Sequence, residues 1–258
     1  MLKTLTALAF ILFLVSPSAQ AQQASRLDDI LKRGTLRVGM TGDYLPFTSL
    51  DKETQTFRGF DVDVAEALGK ALGVKVEFVP TAWPAMAKDF DADKFDMVMG
   101  GVSITLDRQK KGFFSTAIMR EGKTPIARCG DKGKYDTLAE IDKPGTHVIV
   151  NPGGTNERFA KANIHNAEIR VYNDNVTIFD QIAKGDADVM MTDASETRYQ
   201  QKLHAGVLCA VHPEKPFDFA EKAYWLQRDV ALKDFVDQWL HIAHEDGSWQ
   251  KIYAAWFE

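Results

Sequence analysis

Hydrophobic and polar positions along this chain switch between a two-residue and a 3.6-residue period, and their order predicts an α/β protein built from two similar halves. A short entry helix over 26–33 precedes a strand over 35–40. A polar hairpin around 51–55 then leads to a helix with Val64, Leu68, Ala71 and Leu72 at helical spacing. Asp61 and Asp63 sit in its first turn, and Gly73 is its stop. Strands over 74–79 and 95–99 flank a short helix that ends near Phe90. The second half repeats this order with a strand at 147–150, a helix at 157–162 and a strand at 168–172. Next comes a helix carrying Ile178, Phe179 and Ile182, with Asp174 or Asn175 as its cap and Gly185 as its end. Each half reads βαβαβ, which implies parallel strands.

The stretch 115–125 reads as the connection between the halves. A strand over 220–225 and two apolar-faced helices complete the chain. One carries Leu232, Phe235, Val236, Trp239, Leu240 and Ala243, and the other is a terminal aromatic helix over 249–257. Three strands with an open edge need cover, so this tail is expected to return to the first half. The result is two lobes, 26–122 with 216–258 and 123–215, joined by a hinge of two crossings with a cleft between them.

The last strand of the second half is the apolar run 187–191, ending at Thr192-Asp193, where a polar helical segment begins. Ligands of open α/β sheets sit beyond the carboxyl ends of the strands, so this edge is a natural site. Asp193 and Glu196, three residues apart, would share one face of that helix.

Composition narrows the setting. Lys3, an apolar core over 5–15 and Ala19-Gln-Ala21 have the form of a signal peptide covering 1–21. Its removal takes one cation and shifts the formal charge from −5 to −6. That mild acidity argues against nucleic acid or an anionic membrane as partner. Cys129 and Cys209 suit an oxidising compartment and can either pair or remain buried thiols. The cysteines and scattered histidines have no zinc spacing. Neither a nucleotide-binding glycine loop nor a zinc-protease motif is present.

Gly39-Met-Thr-Gly-Asp-Tyr-Leu-Pro-Phe47, Gly59-Phe-Asp-Val-Asp63, Ser103-Ile-Thr-Leu-Asp-Arg108 and Gly154-Thr155 resemble successive signatures of the periplasmic amino-acid-binding proteins of ABC transporters, solute-binding family 3. Pro80-Thr-Ala-Trp83-Pro, Gly122-Lys123-Thr-Pro-Ile, Ile149-Val-Asn151-Pro-Gly-Gly-Thr-Asn156, Asp174-Asn-Val-Thr-Ile-Phe179, Met191-Thr-Asp-Ala-Ser-Glu196 and Pro216-Phe-Asp-Phe-Ala-Glu-Lys-Ala-Tyr224 are similar to its enzymatic branch, the cyclohexadienyl dehydratases. The resemblance implies the type II, Venus-flytrap fold, with a mostly parallel sheet in each lobe. It also implies a periplasmic lyase acting on arogenate and prephenate, with no cofactor because the reaction has no redox step.

The same resemblance assigns roles. Arg108, by composition a surface arginine in a charged run, becomes the anchor of the substrate carboxylate. Gly154 and Thr155, at a turn opening a helix, clamp that carboxylate from the other lobe. Tyr44 and Trp83 wall the ring. Ser103, Thr105, Lys123 and Asn151 reach ligand oxygens, and Asp193 receives an α-ammonium. Glu196, otherwise a first-turn glutamate on a helix dipole, becomes the general acid. The alternative is a non-catalytic amino-acid-binding protein, which keeps Arg108, Thr155 and Asp193 in use and has no task for Glu196.

Overall fold

The computed structural model describes residues 25–258; the expected signal peptide, 1–21, lies outside them. The first of two five-stranded sheets runs, in spatial order, Lys75–Pro80, Thr35–Met40, Met97–Val98, Trp225–Leu226 and Phe113–Phe114. Its first three strands are parallel, as the repeated βαβ order requires, and the other two join antiparallel. The second sheet has the same plan: Glu168–Val171, His147–Val150 and Val189–Asp193 are parallel, then Lys123–Arg128 and Leu208–Ala210 pair antiparallel.

Local chemistry sets the helix ends. Ser25 and Asp28 form a capping box on Arg26–Arg33, which stops at left-handed Gly34. Asp229 accepts from Leu232 N at 2.7 Å and starts the long helix Val230–Glu245. Leu232, Val236, Leu240 and Ala243 on its face are buried in the first lobe. Each large side chain among them is worth about 1.5–3 kcal/mol of burial. Trp249, Tyr253 and Phe257 of the terminal helix Ser248–Phe257 close edge-on around Phe60. The tail thus completes the first sheet and its core.

Four local readings change. The stretch 115–125, taken as a connection, contains the strand Met119–Glu121 and the start of Lys123–Arg128, which lies inside the second sheet. The expected strand over 220–225 is broken into Ala220–Lys222 and Trp225–Leu226. Ala220–Lys222 pairs with Met119–Glu121 as a separate two-stranded ribbon, so the two crossings lie side by side. The strand over 95–99 keeps ladder pairing only at Met97–Val98. Neither Asp174 nor Asn175 caps the helix Ile178–Lys184: Asp174 Oδ1 accepts from Val176 N in a tight turn, and Asn175 Nδ2 donates to Asp43 O in the first lobe.

Cys129 and Cys209 are disulfide-bonded across the edge of the second sheet, closing a sequence separation of 80. Constraining the unfolded chain over such a loop is worth about 4–5 kcal/mol in the chain-entropy picture. No helix among the described residues is long and apolar enough to cross a membrane.

Candidate functional site

The site forms where Val189–Asp193 ends and the helix Ala194–Leu203 begins. Asp193 is the N-cap residue, and its side chain makes no capping bond. It turns instead toward the first lobe and the hinge. Lys123, its register partner on the neighbouring strand, donates to Oδ1 at 2.5 Å. Lys222, from the returning hinge strand, donates to Oδ2 at 2.7 Å, and the Tyr44 hydroxyl of the first lobe donates to the same oxygen at 2.5 Å. All four side chains are almost fully buried.

Burying charges this deeply is unfavourable unless each is paired and hydrogen-bonded, and here the pairing is extensive. Lys123 Nζ also donates to Thr155 Oγ1 at 2.9 Å and Asn156 Oδ1 at 2.6 Å. Lys222 Nζ also reaches Gly101 O at 2.9 Å and pairs with Glu121 Oε1 at 3.1 Å. Burial alone would raise the Asp193 pKa, but Lys123 and Lys222 outweigh it and hold this carboxyl far below the usual range. Burial would likewise lower Lys222, and the facing charges of Asp193 and Glu121 keep it above the ordinary lysine value. The Tyr44 hydroxyl is pushed well above 10 by burial and by the neighbouring carboxylates, so it stays a donor.

Gly101 has to be glycine here. Its φ is +71°, and a Cβ would lie 2.5 Å from the Tyr44 ring. Asp61 fixes the turn by accepting from the N–H groups of Gly100 and Gly101 at 2.8 and 2.7 Å.

Glu196 is held differently. It is 1 % exposed, and its Oε2 accepts from Thr192 Oγ1 at 2.5 Å. Thr192 in turn accepts from Asn156 Nδ2, which also donates to Asn151 Oδ1. Burial pushes the Glu196 carboxyl up to about 8 against the Thr192 hydrogen bond, and the charge of Asp193 adds to the rise. At neutral pH this is a protonated acid beside an ionised carboxylate. Two carboxyl groups three residues apart are thus driven in opposite directions by their surroundings.

The cleft proper is lined by Tyr44, Trp83, Gly101, Ser103, Asn151, Gly154, Thr155, Asn156 and Asp193. Trp83 stands edge-on to Tyr44 and is anchored by Nε1 donating to Asp43 Oδ1 at 3.0 Å. Gly153, at φ +78°, meets Pro84 from the opposite lobe, and a Cβ there would lie 2.7 Å from Pro84 Cα. The lobes are closed on each other, leaving about 10 Å³ of free space among these residues. That is room for one water.

Not every anticipated residue faces this space. Thr105 caps the short helix Leu106–Gln109, its hydroxyl accepting from Arg108 N at 3.3 Å. Arg108 is half-buried beside the cleft, its guanidinium donating to Ser103 O at 2.8 Å. Burial and nearby Arg158 lower its pKa to about 10, so it remains a cation at neutral pH. Lys123 and Glu196 stand just outside the lining, joined to it through Asp193, Thr155 and Thr192.

Sequence reasoning missed Lys222, Glu121, Asn156 and Thr192. Thr192 and Asn156 lay within stretches already singled out, next to residues that were assigned. Lys222 stood in the strand expected on the returning crossing, and no pattern in the sequence set it apart.

The sequence pattern of the bacterial extracellular solute-binding proteins, family 3, matches residues 36–258. The chain belongs to this family. The cyclohexadienyl dehydratase of Pseudomonas aeruginosa is 54% identical over 252 residues, 98% of this chain and 93% of the relative. An L-cystine-binding protein of Escherichia coli is 32% identical over 167 residues, 65% of this chain and 62% of its own. Among solved structures, an ancestral amino acid-binding protein described as a precursor of cyclohexadienyl dehydratase is 39% identical with a TM-score of 0.83, covering 91% of this chain and 100% of that one. An ancestral cyclohexadienyl dehydratase is 50% identical with a TM-score of 0.56, covering 91% and 97%.

Proposed function

We propose that this family 3 protein is a lyase that converts prephenate to phenylpyruvate and arogenate to phenylalanine. The observation that carries the reading is Glu196: a buried carboxyl, protonated at neutral pH, set just behind the cleft lining and linked to it through Thr192 and Asn156. A binding protein has no use for such a group. The 54% identity to a cyclohexadienyl dehydratase over nearly the whole chain supports the same reading.

The chemistry follows from the charges. The allylic C–O bond breaks with its electrons going to oxygen, which takes the Glu196 proton and leaves as water. The bond from the ring to its carboxylate breaks, its electrons complete the aromatic ring, and carbon dioxide departs. Glu196 is then reprotonated from solvent. Lys123, Lys222 and Arg108 give the site an excess of positive charge over Asp193 and Glu121, which suits a substrate carrying carboxylates. Asp193, already held by two lysines, serves first as their counterion.

In this reading the lobes 26–122 with 216–258 and 123–215 turn about the paired strands Met119–Glu121 and Ala220–Lys222, opening to admit substrate and closing to exclude water. The protein is exported to the periplasm with residues 1–21 removed.

A second reading, an amino-acid carrier, is favoured by the likeness to the ancestral amino acid-binding protein. One experiment separates them. Purified protein mixed with prephenate should release phenylpyruvate, and Glu196→Gln should lose about 10²–10⁴ in kcat. Absence of turnover together with tight binding of a free amino acid would establish the carrier. Full activity of Glu196→Gln would keep the lyase and remove its acid.

A further inference from the structure

A second cavity, of about 140 Å³, is walled by three separate parts of the fold. Arg120 and Glu121 come from the outgoing hinge strand. Ser195, Arg198 and Tyr199 come from the helix that carries Glu196, and Tyr253 and Trp256 come from the terminal helix of the first lobe. The two helices touch beside it, where Lys202 Nζ donates to the carbonyls of Phe257 at 3.3 Å and Glu258 at 3.1 Å.

Three features of this cavity point to a ligand. Its size is close to that of an apolar cavity of about 150 Å³ that accepts a benzene ring, and half-buried aromatic side chains supply flat walls. Ser195 is one of its walls and is 6 % exposed, and its hydroxyl, buried just behind that wall, has no hydrogen-bond partner among the described residues. A buried hydroxyl left unpaired is costly, and a ligand oxygen would satisfy it. Two exposed arginines stand at the rim. Arg120 lies over the Phe219 ring at 4.8 Å, and Arg198 pairs at 2.7 Å with Glu214, itself exposed.

We propose that this cavity is a second ligand site, distinct from the cleft, for a small aryl carboxylate. The ring lies among Tyr199, Tyr253 and Trp256, and the carboxylate accepts from Ser195 and the rim arginines. Because its walls belong to both lobes, the bound ligand holds them in contact. Glu121, at its edge, accepts from Ser195 N at 2.8 Å and pairs with Lys222, which places the Asp193 cluster one side chain away. Products of the proposed lyase reaction belong to this ligand class; that source rests on the lyase reading, while the site itself does not.

The test uses the full mature chain, labelled with ¹⁵N and titrated with 3-phenylpropanoate, with no turnover measured. In Arg108→Ala, which removes the proposed cleft anchor, the amides of 195–202 and 253–257 should still shift on titration. The Kd read from those amides should rise at least fivefold in the double variant Arg120→Glu, Arg198→Glu, whose charges are exposed. Ser195→Ala, which removes only the hydroxyl, should raise it at least twofold. Shifts confined to Ser103, Asn151 and Thr155 would overturn the site, as would a smaller rise in either variant. Failure of the lyase reading would leave these shifts unchanged.

Discussion

The Lys222 ammonium lies 2.7 Å from the Asp193 carboxylate, although one residue belongs to a hinge strand and the other to the end of a strand in the second lobe. Removing one partner of such a buried pair strands the other charges. Lys222→Met should therefore lower stability by about 3–5 kcal/mol, read as a shift in the urea midpoint at constant m-value. A loss below about 1 kcal/mol would mean that water reaches the pair in solution.

Glu196 makes stability fall as pH rises. Its native pKa, about 8, lies above the ordinary glutamate value of 4.5, so the native state holds a proton that the unfolded chain gives up. The contribution is fully present below about pH 4.5 and is lost as pH climbs through about 8, with a slope of at most about 1.4 kcal/mol per unit. Urea unfolding of wild type and Glu196→Gln between pH 5 and 7.5 isolates this group. The wild type should lose ground steadily against the variant, and a constant difference would remove the raised pKa.

Thr192 lowers the Glu196 pKa by donating to it. Thr192→Val keeps the shape and removes the donor, so the alkaline limb of the pH–rate profile should move to higher pH. Asn156 also loses an acceptor, which should cost about 1–3 kcal/mol of stability. A purely structural role for Thr192 would lower stability and leave the limb in place.

Gly153 sits at φ +78° against Pro84 of the facing lobe. Gly153→Ala adds a Cβ where there is no room, so closure over bound substrate should weaken and kcat should fall several-fold. Neither residue belongs to the disulfide or to a strand, so stability, read from the urea midpoint, should fall by no more than a left-handed alanine costs, about 1–2 kcal/mol. An unchanged kcat would show that productive closure does not bring these residues together.

Much of the architecture was legible because strand and helix periods are local. The parallel strands of each half, the return of the tail and the placing of Asp193 and Glu196 at one edge all followed from pattern. The strand Lys123–Arg128 was hidden by Pro125, which ordinarily argues against an interior strand. It is tolerated because the ladder with Leu208–Ala210 ends at Ile126, one residue short of the missing N–H. Lys222 and Glu121 were hidden for another reason. Lysine and glutamate are almost never fully buried unless paired, and their partners are distant in sequence. Only the folded ribbon brings them to Asp193.

The narrowness of the closed cleft has a thermodynamic consequence. With Tyr44, Lys123 and Lys222 converging on Asp193 and space for a single water, the protein's own side chains occupy the place a ligand needs. Substrate enters only those molecules whose lobes have parted. Its apparent affinity is the intrinsic affinity scaled down by the open fraction, so the cluster that neutralises the buried charges also sets a self-competition that every substrate must overcome.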